Sequence, residues 1–179
     1  MPRQPAFTPE EIAAVTLVWD RFPRRDDVLF AVMQHTGLRI SEALRITVGV
    51  VTDGAVVRPR LVVARQNLKH GRGAYCRSIR SRVIPLHPTF RTVLTEYLAA
   101  EGWGRGDLRR PLILSRKGNP LSRRQATYRL WQVLHAAGLD QRIGFGWHGC
   151  RRSFAEGIYR STGNDIVLTS KVSGPVRYR

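Results

Sequence analysis

Near the start of the chain, Ile12, Val15 and Val18 recur at helical spacing behind Thr8-Pro9-Glu10-Glu11. Thr8 suits an N-cap, Pro9 the first helical position and Glu11 the reciprocal partner of a capping box, so a helix is predicted from Pro9. A second is predicted over Asp26–His35, with Val28, Ala31 and Val32 inward and Gly37 as its stop, and a short third over Ser41–Ile46. The pattern then shortens: Val48, Val50 and Val51, the turn Asp53-Gly54, then Val56 and Val57 predict short strands around a hairpin. Leu61–Arg65 and Ser81–Leu86 predict two more strands, with a polar, glycine-bearing loop over Lys69–Arg80 between them. Pro88 opens a helix through Val93, Leu94, Tyr97 and Leu98 that Gly102 closes, and Pro111–Leu114 reads as an extended piece before the turn Lys117-Gly118-Asn119. Ser122 caps a helix through Leu130, Val133 and Leu134 ended by Gly138, and the last helices are predicted over Gly149–Arg160 and Asp165–Lys171. The fold class is therefore α+β, mostly helical with a small antiparallel sheet. With no internal repeat and no linker-like stretch, the 179 residues are expected to form one domain.

Charge narrows the partner class. Thirty Lys and Arg against thirteen Asp and Glu give a formal charge of +17, and the basic residues are spread between apolar segments rather than gathered in a tail. A folded basic surface follows, with nucleic acid as its natural partner. An RNA-binding structural protein would show the same balance, so charge alone does not separate the two. Cys76 and Cys150 form no CxxC pair, which argues against a zinc site or a disulfide framework and suits a reducing compartment. No apolar leader follows Met1 and no apolar run reaches membrane-spanning length, so a cytoplasmic, DNA-associated protein without a membrane partner is expected. No phosphate-binding glycine loop, no carboxylate cluster for magnesium and no zinc spacing stand out, so neither a cofactor nor a metal is expected.

Two segments carry chemistry. In Thr36-Gly37-Leu38-Arg39-Ile40-Ser41-Glu42-Ala43-Leu44, Arg39 offers a bidentate fork to phosphate oxygens, and Glu42 follows three residues later on the same helical face. In Trp147-His148-Gly149-Cys150-Arg151-Arg152-Ser153-Phe154-Ala155, the spacing of three places His148 and Arg151 on one face of a helix. Taken singly, the first could be a surface ion pair beside a helix end, and the second a histidine at a helix start.

Together the two segments closely resemble the signature boxes of the tyrosine recombinases of the phage-integrase family. The resemblance implies that Arg39 and Arg151 grip the scissile phosphate, that Glu42 supports the site, and that His148 hydrogen-bonds the phosphate and assists proton transfer. It covers the chain from Thr8 to Ile166. Pro111–Ser122 resembles the strand and turn leading to the helix that faces DNA, which Arg123 and Arg124 open; these two and Arg152 are the candidate DNA-binding residues. Lys69 best matches the lysine that the family places on a hairpin to protonate the leaving 5′ hydroxyl, although the loop after it is longer than usual and carries Arg72, Arg77 and Arg80.

The resemblance weakens toward the C-terminus. Gly163-Asn164-Asp165-Ile166 matches the approach to the family's Leu-Gly-His segment, but Val172-Ser173-Gly174-Pro175 stands in its place, and Pro175 has no donor where a histidine is expected. Tyr178, the candidate nucleophile, lies closer to Arg151 than the family's tyrosine lies to its second arginine. Either a short deletion brought the nucleophile forward or Tyr178 is accidental. Few residues precede the first helix, so no separate N-terminal core-binding domain is expected. The implied activity is DNA strand cleavage and rejoining by tyrosine transesterification on double-stranded DNA, with a homotetramer on DNA if the chain is competent, and impaired by the altered C-terminal segment. The alternative is a catalytically inactive DNA-binding remnant or regulator of the same fold.

Overall fold

The computed structural model describes residues 5–68, 80–140 and 146–173. Two compact units emerge, one from Met1–Ile40 with Arg123–Arg179 and the other from Ser41–Ser122.

The first unit is helical. Its elements are α1 (Pro9–Thr16), α2 (Arg24–Thr36), α6 (Arg123–Ala136), α7 (Trp147–Ser161) and α8 (Ile166–Ser173), with a 3₁₀ turn over Trp19–Arg21. Helix α1 starts as its sequence dictates: the Thr8 hydroxyl accepts from the Glu11 N–H while the Glu11 carboxylate accepts from the Thr8 N–H at 2.8 Å. Helix α2 packs against α7 and α6, and α7 against α8. Val28, Leu29, Val32 and Met33 of α2 are buried, as are Ala126, Leu130, Val133 and Leu134 of α6. Ala31, expected inward, is only half-buried. Phe7 and Trp19 close around Phe30, with ring centroids 5.8 and 5.5 Å away. The polar link between α2 and α6 is the buried Asp26, whose Oδ2 accepts from Arg129 Nε at 2.9 Å. Gly163 and Asn164, both with positive φ, end α7, and Asp165 then caps α8 by accepting from the N–H groups of Val167 and Leu168.

The second unit holds the sheet. Strands β1 (Arg60–Val63) and β2 (Arg82–Pro85) pair antiparallel, with Leu61 opposite Ile84 on the buried face and Val62 opposite Val83 on the exposed one. Helix α5 (Pro88–Ala100) buries Phe90, Leu94, Tyr97 and Leu98, and the Tyr97 hydroxyl donates to the Leu112 carbonyl at 3.0 Å. The extended piece after Pro111 bridges Thr47 at one end and closes on Pro120 at the other through the Gly118 turn. Helix α3 (Ile40–Ala43) lies at the junction of the two units in the chain.

The expectation for residues 48–57 is corrected. Val48–Val51 form a helical turn, α4, and the hairpin expected around Asp53-Gly54 reduces to a single bridge between Thr52 and Val57. The β-branched run misleads because tertiary bonding decides its backbone: the Val48 and Gly49 N–H groups donate to the carbonyls of Arg110 and Leu108. Gly49 itself is required by that approach, since a Cβ there would lie 2.9 Å from the Leu108 oxygen.

Candidate phosphate-binding site

Helix α2 ends on Gly37, whose φ of 57° lies in the left-handed region and whose N–H donates to the Met33 carbonyl. Thr36 braces this end, donating its hydroxyl to the Val32 carbonyl at 2.6 Å and accepting from the Leu38 N–H. Leu38 is fully buried. Arg39 follows it half-buried, so the anchor of Leu38 fixes where that guanidinium leaves the chain.

The second box opens α7. Trp147 is buried and His148, next to it, is exposed. Gly149 is small for a reason: a Cβ there would lie 2.9 Å from both the Pro5 carbonyl oxygen and the Phe7 ring. The N-terminal segment crosses the helix at this point, held by the Ser153 hydroxyl, which accepts from the Phe7 N–H at 2.8 Å. Cys150 is fully buried, and burial pushes its thiol far above the usual range. Arg151 is buried as well, and its Nη1 donates to the Gly37 carbonyl. That bond ties the second box to the residue two positions before Arg39.

The electrostatics centre on His148. Partial loss of hydration is the largest cause that lowers its pKa below the ordinary histidine value, followed by the charges of Arg123, Arg151, Arg39 and Arg152. Arg123 and Arg124 are exposed on the first turn of α6, and Arg152 is half-buried on α7. The first unit thus brings Arg39, Arg123, Arg151 and Arg152 to bear on one imidazole. A neutral imidazole both donates and accepts a hydrogen bond, and permanently charged guanidiniums around it favour an oxyanion.

Glu42 belongs to the second unit, where its side chain is 2% exposed. Lys69 and Tyr178, like Pro175, lie outside the described residues. Sequence reasoning missed three features of the unit that carries the site. The Asp26–Arg129 bond, the clasp of Phe7 by Ser153, and Trp147, which lines a narrow crevice with Trp19, Asp26 and Arg129, each depend on residues far apart in the chain or on burial alone.

The fold carrying this site is that of tyrosine-recombinase catalytic domains. The lambda integrase catalytic core superposes with a TM-score of 0.70 at 16% identity, over 98% of this chain and 94% of that one. A lambda integrase tetramer bound to a Holliday junction gives 0.69 at 16% identity, covering 99% of this chain and 48% of that one. Residues 6–171 match the model of the phage integrase family, and the chain belongs to that family. The tyrosine recombinase XerD of Corynebacterium glutamicum is 29% identical over 152 residues, which span 84% of this chain and 44% of XerD.

Proposed function

We propose that residues 1–179 form a catalytic domain that grips the phosphate backbone of double-stranded DNA for site-specific recombination by tyrosine transesterification, with the cleavage step impaired by the altered segment around Pro175. The observation that supports this most is the set of four arginine charges that lower the His148 pKa, carried by α6, α7 and the segment after α2 within one unit. One of them, Arg151, also donates to the carbonyl of Gly37, two positions before Arg39. Arginine forks neutralise the charge that builds on a phosphate during displacement, and His148 moves or holds a proton beside it. Arg123, Arg124 and Arg152 extend the grip to neighbouring phosphates. Glu42 supports the site and Lys69 protonates the leaving group in this reading.

In the reaction, a tyrosine oxygen attacks the scissile phosphorus and forms a 3′-phosphotyrosyl bond. The bond to the 5′ oxygen breaks, and that oxygen takes up a proton. Bond energy is conserved, so no nucleotide cofactor is consumed. Rejoining reverses the step, and exchange between two duplexes calls for four protomers; lambda integrase is a tetramer when bound to a Holliday junction.

A second reading, DNA binding without efficient cleavage, is favoured by one observation in the sequence: Pro175 stands where the family places a phosphate-binding histidine. Misplacing a nucleophile by an ångström costs roughly a hundredfold in rate. Nicked duplex substrates that trap the covalent adduct test both readings. We expect duplex binding that Arg151→Ala weakens, with little adduct. An abundant adduct that disappears with Tyr178→Phe would establish Tyr178 as the nucleophile, and duplex binding insensitive to both Arg39→Ala and Arg151→Ala would overturn the proposed site.

A further inference from the structure

Helix α6 presents two unlike faces. Ala126, Leu130, Val133 and Leu134 are buried, while the opposite stripe carries Arg124, Tyr128, Trp131 and His135 at spacings of four, three and four residues. Tyr128 is 57% exposed and Trp131 54%, large aromatic surfaces that folding leaves in water. Their rings form a series. Tyr128 and Trp131 stack with centroids 6.3 Å apart and 22° between planes, and Trp131 and His135 with 5.6 Å and 11°.

The staircase is also braced from inside. The buried Asp26 holds Arg129, whose Nη1 donates to Gln132 Oε1 at 2.8 Å, and Gln132 Nε2 reaches the Tyr128 hydroxyl at 3.4 Å. A relay from the core to the outermost ring limits the rotamer entropy that ligand stacking would otherwise cost. Charge is unequal along the stripe. At one end Asp140 lies 3.0 Å from the His135 ring, whereas at the other Arg124 stands exposed one turn before Tyr128.

From this arrangement we infer that the outer stripe of α6 is a binding site for unpaired nucleotides of a DNA strand: a base extends the ring stack at Tyr128 while its phosphate meets Arg124. The occupant follows from complementarity. Stacked rings beside a cation with no ion pair among the described residues match a base with its phosphate, and a chain of formal charge +17 favours a polyanion over an acid-poor protein surface. Strand exchange generates unpaired nucleotides, so the inference deepens the proposed function and rests on it for its biological setting, though its test does not need cleavage.

The test compares a short oligothymidylate with an abasic oligomer of equal length and with duplex DNA, by anisotropy on the full chain. The intact chain should prefer the oligothymidylate to the abasic oligomer. Tyr128→Ala and Trp131→Ala should each weaken oligothymidylate binding about tenfold, leaving abasic and duplex binding unchanged. Arg124→Gln should weaken oligothymidylate and abasic oligomer alike. These side chains are exposed, and an unchanged melting temperature verifies that each variant folds. Equal affinity of the intact chain for the two single strands would overturn the inference, as would indifference to Trp131→Ala. A Trp131→Ala change that alters only self-association in sedimentation would assign the stripe to a protein contact and equally overturn it. Failure of the broader reading looks different: duplex DNA itself would then not bind.

Discussion

Gly37 meets two demands at once, a left-handed backbone at the end of α2 and room for the Phe154 ring, whose Cδ1 would lie 2.3 Å from a Cβ. Gly37→Ala is therefore expected to cost about 2–4 kcal/mol, from backbone strain and overpacking together, measured by denaturant unfolding. The same substitution should weaken duplex binding, because the Gly37 carbonyl receives Arg151. At His148 the sign is set by a folded-state pKa below the ordinary value. The unfolded chain takes up the proton first, so this residue's contribution to stability is complete above pH ~6.5 and is lost as pH falls below it. Arg123→Gln should raise the His148 pKa in an NMR titration, and a bound phosphate should raise it too. A titration unmoved by Arg123→Gln would remove Arg123 from the site.

Between elements, Asp26 carries the most weight for its size. It is 4% exposed, Arg129 Nε lies 2.9 Å from one oxygen and Arg25 Nε 3.5 Å from the other. Arg129→Ala removes the hydrogen-bonded partner of that buried carboxylate, leaving it the longer Arg25 contact, and is expected to destabilise the first unit by roughly 3 kcal/mol in chemical denaturation, whereas Asp26→Leu with Arg129→Met should recover most of the loss. Here the sequence is silent, because nothing local marks residues 26 and 129 as partners. The helix ends, by contrast, were legible: the Thr8 box, the Gly37 and Gly138 stops and the Asp165 start each act within a few residues of themselves. The same locality explains the misreading of Val48–Val51. Their propensity is extended, and the bonds to Leu108 and Arg110 that overrule it come from far along the chain. The two boxes were legible because each packs its chemistry into one contiguous run, while the bond from Arg151 to the Gly37 carbonyl joins them only in three dimensions.

For the whole molecule the governing quantity is the excess of cations. Each phosphate neutralised releases a counterion, so log K for duplex DNA should fall linearly with log salt at a slope near −0.9 per phosphate contacted. Replacing Arg124 should reduce that slope by about one unit across all duplex sequences. A flat salt response in filter binding or anisotropy would show that charge is not what holds the duplex.

Cys150 lies on α7 between His148 and Arg151, fully buried, with a thiol that stays protonated at neutral pH. Such a sulfur is chemically silent until its helix lifts away from the protein. In a Cys76→Ser background, the rate at which an alkylating reagent reaches Cys150 therefore clocks the opening of the segment that carries the proposed phosphate grip. Ligands that clamp Arg151 should slow that clock, giving a readout of occupancy that requires neither a labelled nucleic acid nor a cleavage event.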